Sequence, residues 1–406
     1  MAETYTYKVR DRAGKTVEGQ IEADNAQLVV SKLRSMGYVP IEIQQQGGKT
    51  LSKDLKIPGF SDRVKLKDVA VFSRQFATMI NAGLSLLRAL YILAEQTENK
   101  ALAEVANQVR IDVEKGASLS AAMAKHPKVF NRLYVAMVKA GEIGGALDSV
   151  LLRLADTIEK QVELRRKVKS AMTYPAVVAV LVLVIVTAML LFIIPMFEDL
   201  YAELGGKLPA PTQALINLSK IIRQYWWLIF GAEIGAVVLF RRWIASEGGR
   251  RQWDALKLRA PVFGPLVRKT ALARFSRTLS ALVRSGVPIL ESLDIVAETS
   301  GNHVVAEAVR DTQSAVKNGE PLAKRLEEHP VFPPMVVQMM AVGEETGAID
   351  EMLDKIADFY DQEVEATVDA LTSLIEPLLI VVMGVCVGGM VISLYLPMFN
   401  IIKLIK

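Results

Sequence analysis

The residue types that most often carry chemistry are sparse in this 406-residue chain and form no catalytic pattern. Gly47–Thr50 reads GGKT, the end of a phosphate-binding loop, but the full pattern needs a glycine where Ile43 stands. His126 and His329 each precede a proline and mark breaks between helices, because that position disfavours the helical conformation. His303 is isolated, and no zinc-binding or nucleophile–base spacing occurs. We therefore expect no enzyme, no cofactor and no metal site.

One acidic motif occurs twice, in Val135–Asp156 (VAMVKAGEIGGALDSVLLRLAD) and in Val337–Asp358 (VQMMAVGEETGAIDEMLDKIAD). Each copy has a Gly-Glu-x-x-Gly turn followed by an aspartate. The candidate positions for docking a partner or a cation are Gly141, Glu142, Gly145, Asp148, Gly343, Glu344, Gly347 and Asp350. The structural alternative is that Gly141 ends a helix, Gly145 permits the tight turn, and Glu142 stabilises the positive start of the following helix. Two carboxylates alone are a weak metal signal, because calcium takes about 6–8 oxygens.

The motif belongs to a longer duplication. Phe72-Ser-Arg recurs 203 residues later as Phe275-Ser-Arg, and Gly141 recurs 202 residues later as Gly343, after one deletion. Self-similarity of this extent at a fixed period indicates a repeated structural unit. Apolar residues at a spacing of three and four line the last helix of each copy, so each unit is predicted to be a helix bundle.

Three segments are predicted to span a membrane. Pro175–Phe197 and Pro377–Ile402 carry no charge and are longer than the ~20 helical residues that cross the hydrocarbon core. Tyr225–Ile244 is weaker, because it contains Glu233 and two arginines, but its tryptophans are typical of a membrane interface. The first and third segments follow directly on the two repeats, and the second has no counterpart.

Several polar or small residues in these segments are functional candidates. A membrane carboxyl such as Glu233 is either functional or a protonated hydrogen-bond partner of another helix, with Thr187 and Ser393 as candidate partners. A GxxxG spacing in the third segment permits close helix approach. The further candidates in and beside that segment are Glu376, Pro377, Gly384 and Gly388.

The distribution of lysine and arginine sets the predicted orientation. Basic residues precede the first segment and close or follow the second, and such clusters stay on the cytoplasmic side. The N-terminus and both helical domains are therefore expected in the cytoplasm, and the C-terminus in the periplasm. One local signal disagrees, because Lys403 and Lys406 follow the third segment. The N-terminus lacks the apolar core of a signal peptide.

The N-terminal residues 1–57 have a different pattern. TYTYKVRD and KTVEGQIEA alternate like paired strands, Ala23–Gly37 is predicted to be a helix, and Tyr38–Ile43 a third strand. Lys49–Ser61 would be a linker, which contains part of the GGKT stretch.

Taken together, these patterns predict a mainly α integral membrane protein with two homologous cytoplasmic helical-bundle domains, three transmembrane helices and a small N-terminal α/β module. The chain is 51% hydrophobic, its net charge of +4 calls for no nucleic-acid partner, and its single cysteine, Cys386, excludes an internal disulfide. The predicted parts are the α/β module 1–57, the first bundle 58–170, a transmembrane helix 171–197, a periplasmic loop 198–224, a transmembrane helix 225–244, the second bundle 245–374 and a transmembrane helix 375–402.

The whole chain resembles the inner-membrane platform proteins of type IV pilus and type II secretion systems. The most specific stretch runs from Ile375-Glu-Pro-Leu-Leu-Ile through Leu396-Pro-Met-Phe, which is similar to the family's C-terminal signature. Tyr174-Pro175 and Pro195-Met-Phe are its partners in the first repeat. The paired Gly-Glu-x-x-Gly turns also resemble those of the family.

The resemblance implies a non-enzymatic platform at the base of a fibre in the bacterial inner membrane. A cytoplasmic pilus assembly and retraction ATPase would drive it, and pilins or pseudopilins would pass from the bilayer into the fibre. Inner-membrane alignment proteins and further copies of the chain, as a dimer or a higher oligomer, are the other implied partners. The alternatives are the platform of a type II secretion system, which works through a pseudopilus, and more remotely a small membrane transporter that uses Glu233.

Overall fold

The computed structural model describes residues 3–10, 16–23, 26–45, 63–203 and 209–404. The chain divides into two compact units, Met1–Arg63 and Val64–Lys406. The predicted linker and the GGKT stretch lie outside the described residues.

The first unit is a three-stranded sheet with one helix. Its elements are β1 (Glu3–Arg10), β2 (Thr16–Ala23), α1 (Ala26–Ser35) and β3 (Val39–Gln45). Both neighbours of the central strand β1 run antiparallel to it, in the order β2-β1-β3. The core is small: Val9 of the sheet is buried with Val29 and Leu33, which lie one helical turn apart on α1. The alternation of the two N-terminal strands places one face of the sheet on this helix.

The second unit is helical throughout its described elements. In chain order these are α2 (Leu66–Asn81), α3 (Leu86–Gln96), α4 (Lys100–Glu114), α5 (Leu119–Ala124), α6 (Arg132–Gly144), α7 (Leu147–Ala171), α8 (Thr173–Ala188), α9 (Ile194–Glu203), α10 (Ala210–Ala245), α11 (Glu247–Arg259), α12 (Phe263–Arg284), α13 (Ile289–Thr299), α14 (His303–Lys317), α15 (Leu322–Glu327), α16 (Pro334–Thr346) and α17 (Ile349–Leu404). A π-helical turn, Met189–Ile193, joins α8 to α9.

The sequence duplication is a duplication of helices, because α2 to α7 recur in the same order as α12 to α17. The helix starts recur as well. Asn99 caps α4 by accepting a hydrogen bond from the backbone N–H of Leu102 at 3.2 Å. Its equivalent Asn302 caps α14 by accepting one from the N–H of Val304 at 2.9 Å. Each asparagine satisfies a donor that the first turn leaves unpaired.

Each repeat has a core built on the same aromatic pair. Phe72 and Phe130 are buried with ring centroids 5.8 Å apart, and their equivalents Phe275 and Phe332 are buried 5.0 Å apart. Burying one such side chain stabilises a fold by roughly 1.5–3 kcal/mol. The Phe-Ser-Arg repeat of the sequence therefore places a core phenylalanine at the same depth in both bundles.

Two helical stretches are long and apolar enough to cross a membrane, Leu147–Met196 and Ile349–Ser393. Each begins as the last helix of a bundle. In the first repeat only Met172 separates α7 from α8, and in the second α17 runs without a break for 56 residues, about 84 Å. Pro377 lies inside α17 and does not end it. The bundles therefore continue directly into the membrane segments, as the sequence predicts.

Much of the segment predicted as a periplasmic loop, 198–224, is helical, because α9 continues to Glu203 and α10 begins at Ala210. Its periplasmic location stays a prediction. The early part of α10 packs on the first membrane segment: Ile216 is 1% exposed beside Leu190, and the Ser219 hydroxyl donates to the Leu190 carbonyl at 2.5 Å. This helix was not predicted from the sequence, because charged residues such as Lys220 interrupt its apolar pattern.

The second predicted span, Tyr225–Ile244, is not one of the two membrane-length apolar stretches that the described residues contain. It forms the later part of α10, beyond a kink at Tyr225, where φ is −114°. Glu233 and the closing arginines lower its apolar character.

Candidate docking turns and the contact between the repeats

The glutamate of the first Gly-Glu-x-x-Gly turn is used inside the bundle. The Glu142 carboxylate accepts hydrogen bonds from the backbone N–H groups of Leu119 at 2.5 Å and Ser120 at 3.0 Å, and from the Ser120 hydroxyl. These N–H groups begin α5 and have no partner within that helix. Glu142 therefore caps α5, which precedes it in the chain. The prediction that it serves the following helix is wrong.

The second turn repeats this arrangement. The Glu344 carboxylate accepts from the N–H groups of Leu322 at 2.8 Å and Ala323 at 3.2 Å, at the start of α15. Hydrogen bonds to a charged acceptor are about twice as strong as those between neutral groups. The glutamate thus fixes the short fourth helix of each bundle against the fifth.

The glycines of the turns have two different roles. Gly145 ends α6 in the left-handed conformation, with φ +65°, and Gly347 ends α16 with φ +73°, which confirms that they form the turn. Gly141 lies inside α6, so the prediction that it ends a helix is wrong. A Cβ added there would lie 3.1 Å from the Cβ of Val150, so this glycine lets α6 pack closely on α7.

Other side chains of the turns face outward. Ile143 is 78% exposed, and Asp148 is also exposed at the start of α7. Asp350, the equivalent of Asp148, lies 3.9 Å from the Nε of Arg284. Among the described residues, no group of three His, Cys, Asp or Glu side chains is placed to hold a metal ion. The exposed part of each turn could contact a protein partner, whereas its glutamate has an internal role.

An arginine cluster that the sequence analysis did not identify recurs in both bundles. Arg74 donates to both carboxylate oxygens of Glu159, at 2.8 and 2.6 Å, and also to Asp156. This contact holds the pKa of Glu159 below its usual range. Arg277 makes the equivalent contacts to Asp358 at 2.8 Å and Asp361 at 2.5 Å. The signal was the arginine of the repeated Phe-Ser-Arg motif, but its partners lie more than 80 residues away.

The two bundles contact each other inside the second unit. Arg132 at the start of α6 donates to Asp294 at 2.9 Å and Glu298 at 2.5 Å, both on α13. Arg153 of α7 donates to the carbonyl of Arg284, near the end of α12. Between α7 and α12 lies a cleft of about 330 Å³ that is lined by side chains of both charges.

Nearer the membrane the contact becomes apolar. Leu164, Val168 and Ala171 of α7 pack on a buried cluster that includes Val364, Val368 and Leu371 of α17. The last helices of the two bundles therefore lie side by side where each approaches its membrane segment.

The membrane candidates are outward-facing. Glu233 is exposed, and within the described residues it makes no hydrogen bond to Thr187, Ser393 or any other group. The Ser393 hydroxyl instead donates to the Gly389 carbonyl at 2.8 Å. The hydrogen bond predicted for Glu233 is therefore not formed between the described helices.

The glycines of the third segment also have open surroundings. A Cβ added at Gly384 or Gly388 would meet no atom within 4 Å, and Glu376 at the membrane entry is exposed. Within the described residues, no helix of this chain uses the GxxxG face.

A pair of homologous helical bundles, each continued by a membrane-length helix, defines a duplicated membrane protein. The family model for the type II secretion system (T2SS), protein F, matches residues 72–195 and again 275–397, and the model for the N-terminal domain of that protein matches residues 1–44. The chain belongs to this family, the inner-membrane platform proteins of type II secretion and type IV pilus systems.

Relatives from both kinds of system align over nearly the whole chain. The type IV pilus assembly protein PilC of Thermus thermophilus is 48% identical over 399 residues, covering 98% of this chain and 98% of that protein. The PilC protein of Myxococcus xanthus is 43% identical over 397 residues, covering 98% and 94%. The type II secretion system protein F of Aeromonas hydrophila is 35% identical over 386 residues, covering 95% and 99%.

Proposed function

We propose that this chain is the platform of a type IV pilus assembly machine and couples a cytoplasmic ATPase to the insertion of pilins into the fibre. The observation that carries the proposal is the continuity of each bundle with a membrane segment, through α7 and α8 and through α17. A helix without a break transmits displacement of a cytoplasmic body into the bilayer. The relatives that are 48% and 43% identical are pilus assembly proteins by name, which supports the pilus over other fibres.

The proposed topology has three spans. The ion pair between Arg132 and Asp294 supports a topology with both bundles on one side of the membrane. The first bundle sends the chain across through α8, and the chain must return before the second bundle begins. Between these points lies α10, whose later part is the predicted span Tyr225–Ile244. Three spans put the C-terminus on the side opposite the bundles, which is the periplasm if the basic clusters hold the bundles in the cytoplasm.

The proposed docking surface for the ATPase is the outward part of the paired turns. Glu142 and Glu344 cap internal helices, so their effect on docking is indirect. Ile143 and Asp148 are both exposed, and both belong to the joint between α6 and the helix that leads to the membrane. A motor bound there would act close to the start of the transmitting helix. Pilins, inner-membrane alignment proteins and further copies of the chain complete the proposed assembly.

The platform of a type II secretion system is the second candidate. The 35% identical relative from Aeromonas hydrophila supports it, since that protein carries the name of such a system. The two functions differ in their product, a surface pilus or a secreted protein.

Deleting the gene in its source bacterium tests the proposal and separates the candidates. We expect surface pili to disappear in electron micrographs while pilin remains in the membrane, and the wild-type gene to restore them. Loss of secreted proteins with normal pili would instead support the secretion platform. Unchanged pili and unchanged secretion would contradict both.

A further inference from the structure

The start of α12 lies at the membrane end of the second bundle. α12 runs antiparallel to α17, because Arg284 near the end of α12 contacts Asp354 at 2.8 Å, and Lys269 nearer its start contacts Glu363 at 2.7 Å. Glu363 is closer than Asp354 to the apolar segment of α17. The direction from Arg284 back to Phe263, the first residue of α12, therefore leads towards the membrane.

A buried cluster places this end of α12 within reach of the bilayer surface. Leu266 of α12 is buried with Leu371 of α17, and Ala171 of α7 packs on the same cluster. The uncharged run of each membrane segment begins within six residues of Leu371 and of Ala171. Because a helix rises about 1.5 Å per residue, the cluster lies within about 10 Å of both apolar segments. Phe263 precedes Leu266 by about one helical turn and lies closer still.

The joint between α11 and α12 exposes three large apolar side chains at this end of the bundle. Leu256, in the second half of α11, is 57% exposed. Val262 and Phe263, where α12 begins, are 49% and 44% exposed. Single exposed apolar residues are common on protein surfaces, but a group of large ones beside a membrane segment indicates a surface that water does not cover.

The turn that presents two of these side chains is strained. Val262 has φ +72° and ψ −48°, and the Phe263 N–H donates to the Pro261 carbonyl at 2.8 Å. This is a three-residue turn of the rarer, strained kind, and a β-branched residue seldom adopts a positive φ. Glycine would adopt the same backbone without strain. Since strain of this kind concentrates at functional positions, the valine side chain indicates a role outside the core of the bundle.

The beginning of α11 packs against the end of α10, the proposed second span. Gly249 of α11 lies against the Trp243 carbonyl, with no room for a Cβ. Trp253 of α11 contacts Phe240 of α10 edge-on, with ring centroids 5.1 Å apart. Phe240 and Trp243 are each 42% exposed, so the apolar surface of α10 continues onto α11. Tryptophan at the end of a span is typical of the boundary between lipid and water.

Unpaired bases surround this surface. Four arginines at the end of α10 and on α11 are exposed, and none of them makes an ion pair within the described residues: Arg241, Arg242, Arg250 and Arg259. A guanidinium group binds phosphate oxygens through paired hydrogen bonds, which makes arginine well suited to phosphate recognition. An apolar helix face with arginines beside it is the pattern of a helix that lies on a membrane surface.

The acids of α11 do not cancel these charges. Asp254 is buried, accepts a hydrogen bond from the His303 N–H at 2.8 Å and pairs with Lys257 at 2.5 Å. Glu247 is exposed, but it begins α11, three turns before Arg259.

The neighbouring helices bring charges of both signs to the membrane end of the bundles. The exposed acids there are Asp369 and Glu376 on α17, and the exposed bases are Arg165, Arg166 and Lys169 on α7. Because the bases of α7 outnumber the acids of α17, the surroundings of the joint stay basic, which favours an anionic partner.

We propose that the joint between α11 and α12 binds the membrane surface. Leu256, Val262 and Phe263 enter the headgroup region of the leaflet that faces the bundles, and the four unpaired arginines bind the phosphates of acidic phospholipids. This contact is additional to the membrane-spanning helices, and it fixes the second bundle to the bilayer where α12 begins. An acidic leaflet attracts such a basic surface, and an apolar group that enters the headgroup region leaves water.

Lipid quenching of a fluorescent label on the full-length chain tests the contact. In a Cys386→Ser background, Val262→Cys carries the label, and the protein is reconstituted into vesicles whose lipids carry a nitroxide near the top of the acyl chain. The matched control is Val342→Cys, because Val342 is 50% exposed in the same bundle. It adjoins Gly343, which packs on Ile349 at the start of α17, about 40 Å from the membrane segment. We expect several-fold stronger quenching at Val262 than at Val342.

A second labelling position removes the dependence on the strained turn. Leu256→Cys carries the same label on α11, where the backbone is helical. It should be quenched to a similar extent as Val262→Cys, because both side chains enter the same leaflet.

The lipid charge gives a separate measurement on the same labelled protein. Quenching at Val262→Cys should be several-fold stronger in vesicles that contain phosphatidylglycerol than in vesicles of phosphatidylcholine alone. Arg250→Gln with Arg259→Gln should remove this difference. Lys317→Gln with Lys324→Gln is the control, because both lysines are exposed, make no ion pair within the described residues and carry the same total charge. This control should leave the difference unchanged.

Two results would overturn the proposal. If the labels at Val262 and Leu256 are quenched no more than the label at Val342, the joint faces water or another protein. If quenching at Val262 is equal in neutral and acidic vesicles, the arginines do not recognise acidic lipid. Neither measurement depends on pilus formation or secretion, so failure of this proposal is distinct from failure of the proposed function.

Discussion

Arg74 donates two parallel hydrogen bonds to Glu159, at 2.8 and 2.6 Å, and this ion pair links α2 to α7 in the first bundle. In the second bundle Arg277 and Asp361 form the equivalent ion pair, which is more buried. The Arg277 side chain is 14% exposed, against 37% for Arg74. The same pair therefore contributes differently to the two repeats.

The difference in exposure predicts unequal effects on stability. Arg277→Met should lower the free energy of unfolding by about 2 kcal/mol, because it leaves partly buried aspartates without their cation. Arg74→Met should cost about 1 kcal/mol or less, since water screens the exposed pair. Thermal unfolding of the purified protein in detergent measures both. Equal losses of unfolding free energy in the two variants, or a larger loss for Arg74→Met, would show that burial does not set the strength of the ion pair.

Replacing the turn glutamate should loosen the start of α5. Glu142→Ala removes the acceptor of the Leu119 and Ser120 N–H groups, and loss of a cap costs about 1 kcal/mol. Hydrogen exchange at these amides should accelerate, and Glu344→Ala should do the same at Leu322. Glu345→Ala is the control, because Glu345 is exposed and caps no helix. Unchanged exchange in Glu142→Ala would refute the capping role.

The glycine inside α16 predicts a steric effect. A Cβ at Gly343 would lie 3.0 Å from the Cα of Ile349, so Gly343→Ala must separate α16 from α17. We expect a loss of about 1–3 kcal/mol. Gly144→Ala is the control: nothing lies within 4 Å of its added Cβ, and alanine favours a helix by about 0.5 kcal/mol. The melting temperatures of Gly343→Ala and Gly144→Ala measure this effect. A Gly343→Ala protein as stable as the wild type would show that α16 and α17 are not closely packed.

Asp311 predicts a pH dependence confined to acid. Its hydrogen bonds with Arg325 and His329 lower its pKa from 3.8 to about 2. Because the folded pKa is depressed, the contribution to stability is fully present above about pH 4 and is lost as the pH falls towards 2. Asp311→Asn should therefore lower the melting temperature slightly at pH 7, and the difference from wild type should narrow below pH 4. If the difference in melting temperature between Asp311→Asn and wild type stays constant down to pH 3, or widens, ionised Asp311 does not stabilise the fold through Arg325 and His329.

The sequence predicted those features that depend on local chemistry. The left-handed Gly145, the continuity of each bundle with its apolar segment and the strands of the first unit follow from residues close together in the chain. The capping role of Glu142 was missed because its partner Ser120 lies on another helix. Arg74 was missed for the same reason. The helix that begins at Ala210 was not predicted, because charged residues such as Lys220 are typical of a loop. The structure shows that the apolar face of this helix packs on Leu190.

The contact between the bundles was beyond sequence analysis for another reason. The duplication shows which surfaces are equivalent, but burial shows which are used. Thr157 and Phe359 occupy equivalent positions and have opposite exposures only because one bundle lies against its neighbour.

The account depends on transmission of work from a cytoplasmic bundle into the membrane through an unbroken helix. The most direct measurement inserts a short flexible Gly-Ser segment into α17 after Ser373 and counts surface pili. The same segment inserted after Gly48, beside the predicted linker, is the control. We expect the α17 insertion to abolish pili while the protein stays in the membrane and still co-purifies with the assembly ATPase, and the control to leave pili unchanged. Normal pili with the α17 insertion would contradict the account.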